Sequence, residues 1–374
     1  MKKKIALVVS TPLIYNLFYK KHIEFLSQKY DIYLISNFKE DECLVKGLPV
    51  YHINIERKPS VFNDLDALFE LIKIFKKEKF DIVHSTTPKA GLLAQIAAYI
   101  CKVKIRLHYF TGQVWVNKIG YKRKVLKCID KIIGSLPTHI LVDSNSQKDF
   151  LISESIVEKN KITILGQGSI CGVNLNKFYI QDKNKLKNKL GISQESFVYL
   201  YLGRLNKDKG VLDLLQAFGQ VNNKYPSTKL IFVGRDEENL VPLIKKNKLF
   251  NSSIFYYNFT NTPESFMAAA DVFCLPSYRE GFGNVIIEAA ACGTPSIGSN
   301  IYGISDAIVD EETGLLFDVG NIKDLIVKME TLIENKDFLG YLSINGQNRV
   351  KTYFDENIIS QLLVLYYEEF ENYN

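Results

Sequence analysis

The chain has 374 residues, 47% hydrophobic and 24% charged, which at roughly 100–200 residues per domain suggests two domains or three, two being simpler. No uninterrupted run of about 18 apolar residues occurs, excluding a membrane-spanning helix, and six cysteines without a CxxC pair or metal-ligand spacing read as reduced, small buried residues of a cytosolic protein. The net charge of +6 is uneven: residues 1–180 hold 28 Lys and Arg against 16 Asp and Glu, and the remainder 19 against 25, so the first half suits an anionic surface or substrate.

Met1-Lys2-Lys3-Lys4 before Ile5-Ala6-Leu7-Val8-Val9 has the outline of a secretory signal. The apolar run stops at Ser10-Thr11-Pro12 with no small-x-small cleavage site, so a buried first strand is expected. Further strands are expected at Asp31–Ile35, Val50–Ile55, Ile82–Ser85, Ile105–Tyr109, His139–Val142 and Ile162–Leu165, with helices such as Leu65–Glu78 and Gly91–Cys101 between them. After the loop Gly172–Phe178 the alternation restarts at Phe197–Leu202, Lys229–Val233, Ile254–Tyr257, Val272–Leu275, Ser296–Gly298 and Gly314–Phe317. Each series reads as a parallel sheet wrapped by helices, an α/β class. The apolar, acidic segment Ile358–Phe370 has helical spacing and is expected to pack back on the first half. The expected units are 1–178, 179–357 and a terminal helix in 358–374.

Two short patterns are set aside. Asp64-Leu65-Asp66 is formally a DxD metal motif but opens a helical pattern, where acidic residues favour the N-terminal dipole. Gly166-Gln167-Gly168 with Gly172 has GxGxxxG spacing without a helix start and reads as an interdomain turn.

Two others carry chemistry. Gly203-Arg204-Leu205-Asn206-Lys207-Asp208-Lys209-Gly210 joins a strand to the expected helix Val211–Phe218, where free backbone N–H groups, an arginine fork and a lysine charge suit a diphosphate. Taken alone it is also readable as a solvated basic turn. Ser277-Tyr278-Arg279-Glu280-Gly281-Phe282-Gly283-Asn284 enters a small-residue helix, Val285–Cys292, that carries Glu288; Gly281 and Gly283 let backbone approach a ligand. Eight helical residues span about 12 Å, too far for both carboxylates to act on one atom but suited to gripping two ends of a polyhydroxylated ligand. Surface carboxylates around a helix cap remain the alternative. All five histidines lie in the first half, so any histidine in the chemistry comes from there.

Glu280-x7-Glu288 after Leu275-Pro276-Ser277, between Ala268-Ala269-Ala270-Asp271 and Gly293-Thr294-Pro295, resembles glycosyltransferase family 4. Gly203-Arg204-Leu205, Lys209-Gly210, Val233-Gly234 and Glu312-Thr313-Gly314-Leu315-Leu316 extend the resemblance. It implies a GT-B fold of two Rossmann-like domains facing across a cleft. The enzyme would be a retaining, metal-independent hexosyl- or N-acetylhexosaminyltransferase whose nucleotide sugar, UDP-linked by analogy, is a substrate rather than a cofactor. Arg204 and Lys209 would neutralise the donor diphosphate, Glu280 would bind the transferred sugar and Glu288 the ribose. Backbone of Gly281, Phe282, Gly283 and Asn284 would approach sugar or phosphates.

His108 stands where the family places a histidine facing the donor sugar, with His84 as competitor. The first loop departs from the family's glycine pair, having Ser10-Thr11-Pro12-Leu13, so acceptor binding by Thr11 and by Lys89 is a weaker expectation. Residues 117–133 interleave Lys118, Lys122, Arg123, Lys124, Lys127 and Lys131 with apolar residues, as in a helix lying on an anionic membrane; a solvated basic helix is the alternative. A peripheral enzyme at the cytoplasmic face, acting on a lipid-diphosphate-linked saccharide in surface glycan (O-antigen) assembly, is the resulting expectation. No nucleic-acid partner is expected, because the basic residues lack a stacking platform. A sugar-nucleotide epimerase and a non-catalytic nucleotide-sugar-binding subunit are the rivals.

Overall fold

The computed structural model describes residues 2–39, 42–56 and 60–370. The chain divides into two compact units, Met1–Cys171 with Glu356–Asn374, and Gly172–Asp355.

The first unit runs β1 (Lys4–Val8), α1 (Lys20–Leu26), β2 (Asp31–Ser36), β3 (Val50–His52), α2 (Val61–Glu78), β4 (Ile82–Thr86), α3 (Pro88–Ile100), β5 (Ile105–Phe110), α4 (Gly120–Ser135), β6 (His139–Val142), α5 (Asn145–Ser153) and β7 (Ile162–Ile164). Its seven parallel strands lie in the order β3-β2-β1-β4-β5-β6-β7. The apolar run of β1 is buried on both faces because successive side chains alternate sides. Ile5 and Leu7 pack with Tyr19, Ile23 and Tyr367 on one side, whereas Ala6 and Val8 pack with Leu71, Phe75 and Ala94 on the other.

The second unit begins with α6 (Lys183–Lys189) and continues β8 (Val198–Leu202), α7 (Val211–Lys224), β9 (Lys229–Val233), α8 (Val241–Lys246), β10 (Ile254–Tyr257), α9 (Pro263–Ala269), β11 (Val272–Leu275) and α10 (Asn284–Ala291). It ends with β12 (Ser296–Ser299), α11 (Ile304–Ala307), β13 (Gly314–Phe317), α12 (Ile322–Glu334) and α13 (Lys336–Tyr353). The six-stranded sheet has the order β10-β9-β8-β11-β12-β13. The final helix α14 (Glu356–Glu369) belongs to the first unit, where Ile359, Leu363 and Tyr367 enter the core beside Tyr19 and Leu26.

Every expected strand forms, with ends displaced by a few residues. Helix α2 starts at Val61 rather than Leu65 because Ser60 is extended and donates its N–H to the Asp64 carboxylate at 3.2 Å. The boundary between units falls after residue 171 rather than 178: the Val173 N–H donates to the Phe354 carbonyl at 2.6 Å, and Phe178 joins the second core. Cys274 and Cys292 are buried as expected, but Cys128 is exposed on α4.

Strand order reverses between β1 and β4 in one sheet and between β8 and β11 in the other. Such switch points leave a crevice at the carboxyl ends of the strands, where open α/β sheets bind ligands.

Candidate functional site

The β8/β11 switch point brings two of the sequence candidates into contact. Lys209, at the end of the loop after β8, forms an ion pair with Glu280, in the loop after β11. Ser277 Oγ donates to the same Glu280 oxygen at 3.0 Å. Gly210 permits this approach: it has φ +66°, and a Cβ there would sit 1.9 Å from the Pro276 carbonyl oxygen. The Tyr278 N–H also bonds the Asp208 carbonyl at 2.8 Å, tying the two loops together.

Arg204 lies in the same loop but turns to a different partner. Its exposed guanidinium meets Glu237 at 3.2 Å, and Asn206 donates to that carboxylate at 2.9 Å. Glu237, beyond β9, was not anticipated; only its place after the expected strand end Val233-Gly234 could have signalled it.

Phe282 buries its ring against Phe354, centroids 5.3 Å apart, so only its backbone can face a ligand. Gly283 caps α10 at φ +81°, with Asn284 as the first helical residue. A Cβ at Gly303, which has φ +86°, would lie 2.4 Å from the Gly281 carbonyl oxygen, so the loop after β12 also closes on this segment. Glu288 sits in the second turn of α10. Burial pushes its carboxyl up to about 7, opposed by Lys177 and reinforced by Glu264, so it titrates near neutrality.

The β1/β4 switch point gathers hydroxyl groups. Thr87 holds φ +76°, a strained conformation for a β-branched residue, and its hydroxyl donates to Ser10 Oγ at 3.2 Å. Thr11 is buried beside them and accepts from the Leu13 N–H at 3.2 Å. Lys89, the other acceptor candidate, pairs with Asp64 at 2.5 Å. That pairing and the bond from Ser60 give Asp64 a structural task at the start of α2.

The two histidine candidates separate clearly. His84 has both ring nitrogens on tyrosine hydroxyls, Nε2 on Tyr19 at 3.1 Å and Nδ1 on Tyr367, and stacks on Tyr109. His108 bonds Ser85 Oγ through Nδ1 at 2.9 Å, while its Nε2 has no hydrogen-bond partner among the described residues. It lines a cavity of about 10 Å³ with Thr87, Pro88, Thr111, Gly112 and Asp130, roughly the room one water or hydroxyl needs. Burial pushes its pKa down to about 3, keeping the ring neutral. Asp130 escaped the sequence reading because it lies within the basic segment. It is buried, accepts from the Trp115 indole at 2.7 Å, and is pushed up to about 6 by burial.

The basic segment forms α4 and is sorted by face. Arg123 and Lys127 pair with Glu154 and lie 5.6 and 5.5 Å from the Trp115 ring centroid, with side chains that stay partly accessible. Lys118 is partly buried, whereas Lys122, Lys124 and Lys131 are exposed beside Ile119 and Tyr121, which are 89% and 80% accessible. Helix α2 adds an exposed apolar stripe, Val61, Phe62, Leu65 and Phe69, that the sequence reading missed. Its spacing was visible, but strand-helix alternation made core packing the default. No helix among the described residues is long and apolar enough to cross a membrane.

Residues 182–349 match the family described as Glycosyl transferases group 1, and residues 4–112 the one described as Glycosyl transferase 4-like. The capsular polysaccharide biosynthesis glycosyltransferase CapM of Staphylococcus aureus is 36% identical over 354 residues, 93% of this chain and 92% of its own. The UDP-Gal:alpha-D-GlcNAc-diphosphoundecaprenol alpha-1,3-galactosyltransferase of Escherichia coli is 29% identical, covering 90% and 88%. Among solved structures, Anabaena Alr3699/HepE in complex with UDP and glucose matches with a TM-score of 0.80 at 18% identity, covering 98% of this chain and 100% of that one. The chain belongs to the glycosyl transferases group 1 family and is a glycosyltransferase of the GT-B fold.

Proposed function

We propose that this glycosyltransferase moves a hexose or N-acetylhexosamine, with retention, from a UDP-sugar to a saccharide carried on a polyprenyl diphosphate, in bacterial surface glycan assembly. The observation that carries the reading is the Lys209–Glu280 pair at the β8/β11 switch point. A nucleoside diphosphate sugar needs a cation for its phosphates and a hydroxyl acceptor for its sugar, and these two side chains supply them from adjoining loops. Kinship to a capsular enzyme and to one acting on a diphosphoundecaprenol-linked sugar supports the acceptor class, and the UDP bound by a structural neighbour supports the nucleotide.

In this mechanism Arg204 and Lys209 stabilise charge developing on the departing diphosphate, usually the largest catalytic term. The acceptor hydroxyl attacks from the leaving-group face and passes its proton to the departing phosphate oxygen. Glu280 holds the transferred sugar and Glu288 the ribose, with backbone of Gly281 to Asn284 beside the phosphates. His108 offers the sugar a neutral hydrogen bond, and Thr11 with Lys89 lies toward the acceptor. The donor is consumed as substrate, and the mechanism uses no metal and no further cofactor. Lys122, Lys124 and Lys131, joined by the apolar stripe of α2, hold the enzyme to the anionic cytoplasmic face of the inner membrane.

The test offers a panel of UDP- and GDP-sugars with a synthetic lipid-diphosphate-linked saccharide and reads the product by NMR. Transfer with the donor's anomeric configuration is expected. An inverted linkage removes retention, and isomerisation of the donor without acceptor replaces transferase by epimerase.

A further inference from the structure

Behind the His108 cavity lies a chain of buried polar side chains. Gln95 on α3 places its amide Nε2 2.8 Å from the Leu107 carbonyl oxygen and 2.8 Å from Ser85 Oγ. Ser85 Oγ in turn lies 2.9 Å from His108 Nδ1. Gln95 and Ser85 are 0% exposed and His108 1%, so bulk water does not rearrange these bonds.

The proton positions follow from which atoms can donate. A carbonyl oxygen only accepts, so Leu107 fixes the Gln95 amide with its NH₂ toward the strands. One amide hydrogen serves Leu107 and the other serves Ser85 Oγ. The Ser85 hydroxyl, already accepting from Gln95, keeps one hydrogen, and His108 Nδ1 lies 2.9 Å away, where it can accept it. A nitrogen that accepts carries no proton, which leaves the proton of the neutral ring on Nε2.

We infer that Gln95 and Ser85 are positioning residues that lock His108 in its Nε2–H tautomer, so that the ring meets the cavity as a hydrogen-bond donor and selects a ligand oxygen there. Ligands bearing a hydroxyl or ether oxygen at that point are accepted; those presenting a bare methylene are disfavoured. The selection rests on the reading of His108 as the sugar-facing residue, whereas the tautomer belongs to the first unit alone. Gly91 completes the arrangement, since a Cβ there would lie 2.3 Å from His108 Cε1 and push the ring off Ser85.

The experiment uses the full-length chain with ¹⁵N-labelled histidine rings, the His108 signals being assigned by their loss in His108→Gln. A pyridine-like shift at Nδ1 and a pyrrole-like shift at Nε2 are expected in the unsubstituted protein. In Gln95→Glu the buried carboxylic acid donates its one hydrogen to the Leu107 carbonyl and accepts the Ser85 hydroxyl, so that Oγ must accept from the ring and the proton moves to Nδ1. Ser85→Ala leaves a mixture of tautomers and lowers kcat about tenfold, the scale of one hydrogen bond. A protonated Nδ1 in the unsubstituted chain overturns the inference, as does a Gln95→Glu variant that melts normally with an unchanged ring. Undiminished kcat in Ser85→Ala with mixed tautomers removes the positioning role. A chain that transferred no sugar would still give the expected shifts, so the two readings fail separately.

Discussion

The two switch points differ in what surrounds the lysine–carboxylate pair that each one holds. Between β8 and β11 stand an ion pair, Lys209 with Glu280, and a carboxyl poised near neutrality, Glu288. Between β1 and β4 stand the hydroxyls of Ser10, Thr11 and Thr87, with a neutral His108 on β5 next door, and Lys89 there is already held by Asp64. A diphosphate needs fixed positive charge, whereas a sugar needs neutral donors and acceptors whose geometry discriminates one hydroxyl from another. The comparison also shows why bulk charge misleads. The half with the basic excess carries part of it on α4, while the acidic half holds Lys209, the lysine proposed to meet the donor phosphates.

The strongest way to break this contrast is to neutralise its charged side. Glu280→Gln keeps the size and a bond to Ser277 but ends the pairing with Lys209. Turnover should fall on the order of 10²–10³-fold, the scale of losing one electrostatic contact to a reacting group. The melting temperature should move little, because the site is at a loop. Steady-state kinetics and a thermal melt check both; near-normal kcat would put Glu280 outside the site and leave the ion pair a loop tie.

On the neutral side, Gly91→Ala inserts a methyl where His108 Cε1 stands 2.3 Å away. Overpacking of this kind costs about 1–3 kcal/mol, and the ring must turn from Ser85. A fall in kcat of roughly tenfold is expected from the lost hydrogen bond, with UDP affinity unchanged if the donor's nucleotide lies wholly on the second unit. Weaker UDP binding by calorimetry would instead show that the division of labour is wrong.

Glu288 gives a pH signature. Its carboxyl is raised from the ordinary 4.5 to about 7, so the folded chain binds more protons than the unfolded one between those values. Its contribution to stability is therefore fullest below pH 4.5 and is lost as pH rises through about 7. Donor binding runs the other way, since the carboxylate accepts ribose hydroxyls better than the acid does. KM for the nucleotide sugar should fall by about tenfold or less as pH rises through that window, and Glu288→Gln should flatten both trends. A KM that stays level from pH 6 to 8 in the unsubstituted enzyme removes the ribose role.

Much of this architecture could be read from residue order, for identifiable reasons. Parallel strands such as Ile82–Thr86 are buried on both faces, so their apolar runs stand out against helical spacing. Lys209 and Glu280 are 71 residues apart, yet each follows a legible strand end, and the switch point joins what the sequence separates. Asp130, Gln95 and Ser85 were not legible because their importance lies in which neighbours are buried with them, a tertiary property. Glu237 was missed for the same reason. The pairing of Lys89 with Asp64 and of Arg123 and Lys127 with Glu154 shows the limit from the other side: a run of basic residues gives the charge of a helix without saying which of them meet a carboxylate.

That last point yields the smallest effect and the sharpest control. Lys124 is exposed on α4, whereas Lys127, three residues on, is held by Glu154 and covers Trp115. A basic side chain near an anionic bilayer contributes about 1 kcal/mol, so Lys124→Ala should weaken partition onto phosphatidylserine vesicles roughly fivefold. Lys127→Ala should leave partition nearly unchanged but lower the melting temperature, because it leaves Glu154 with the longer pairing to Arg123 and removes one of the two cations over the Trp115 ring. Vesicle flotation with and without anionic lipid, alongside melts, separates the two. Equal losses of binding for both substitutions would mean that total charge, rather than the exposed face of α4, brings the first unit to the membrane.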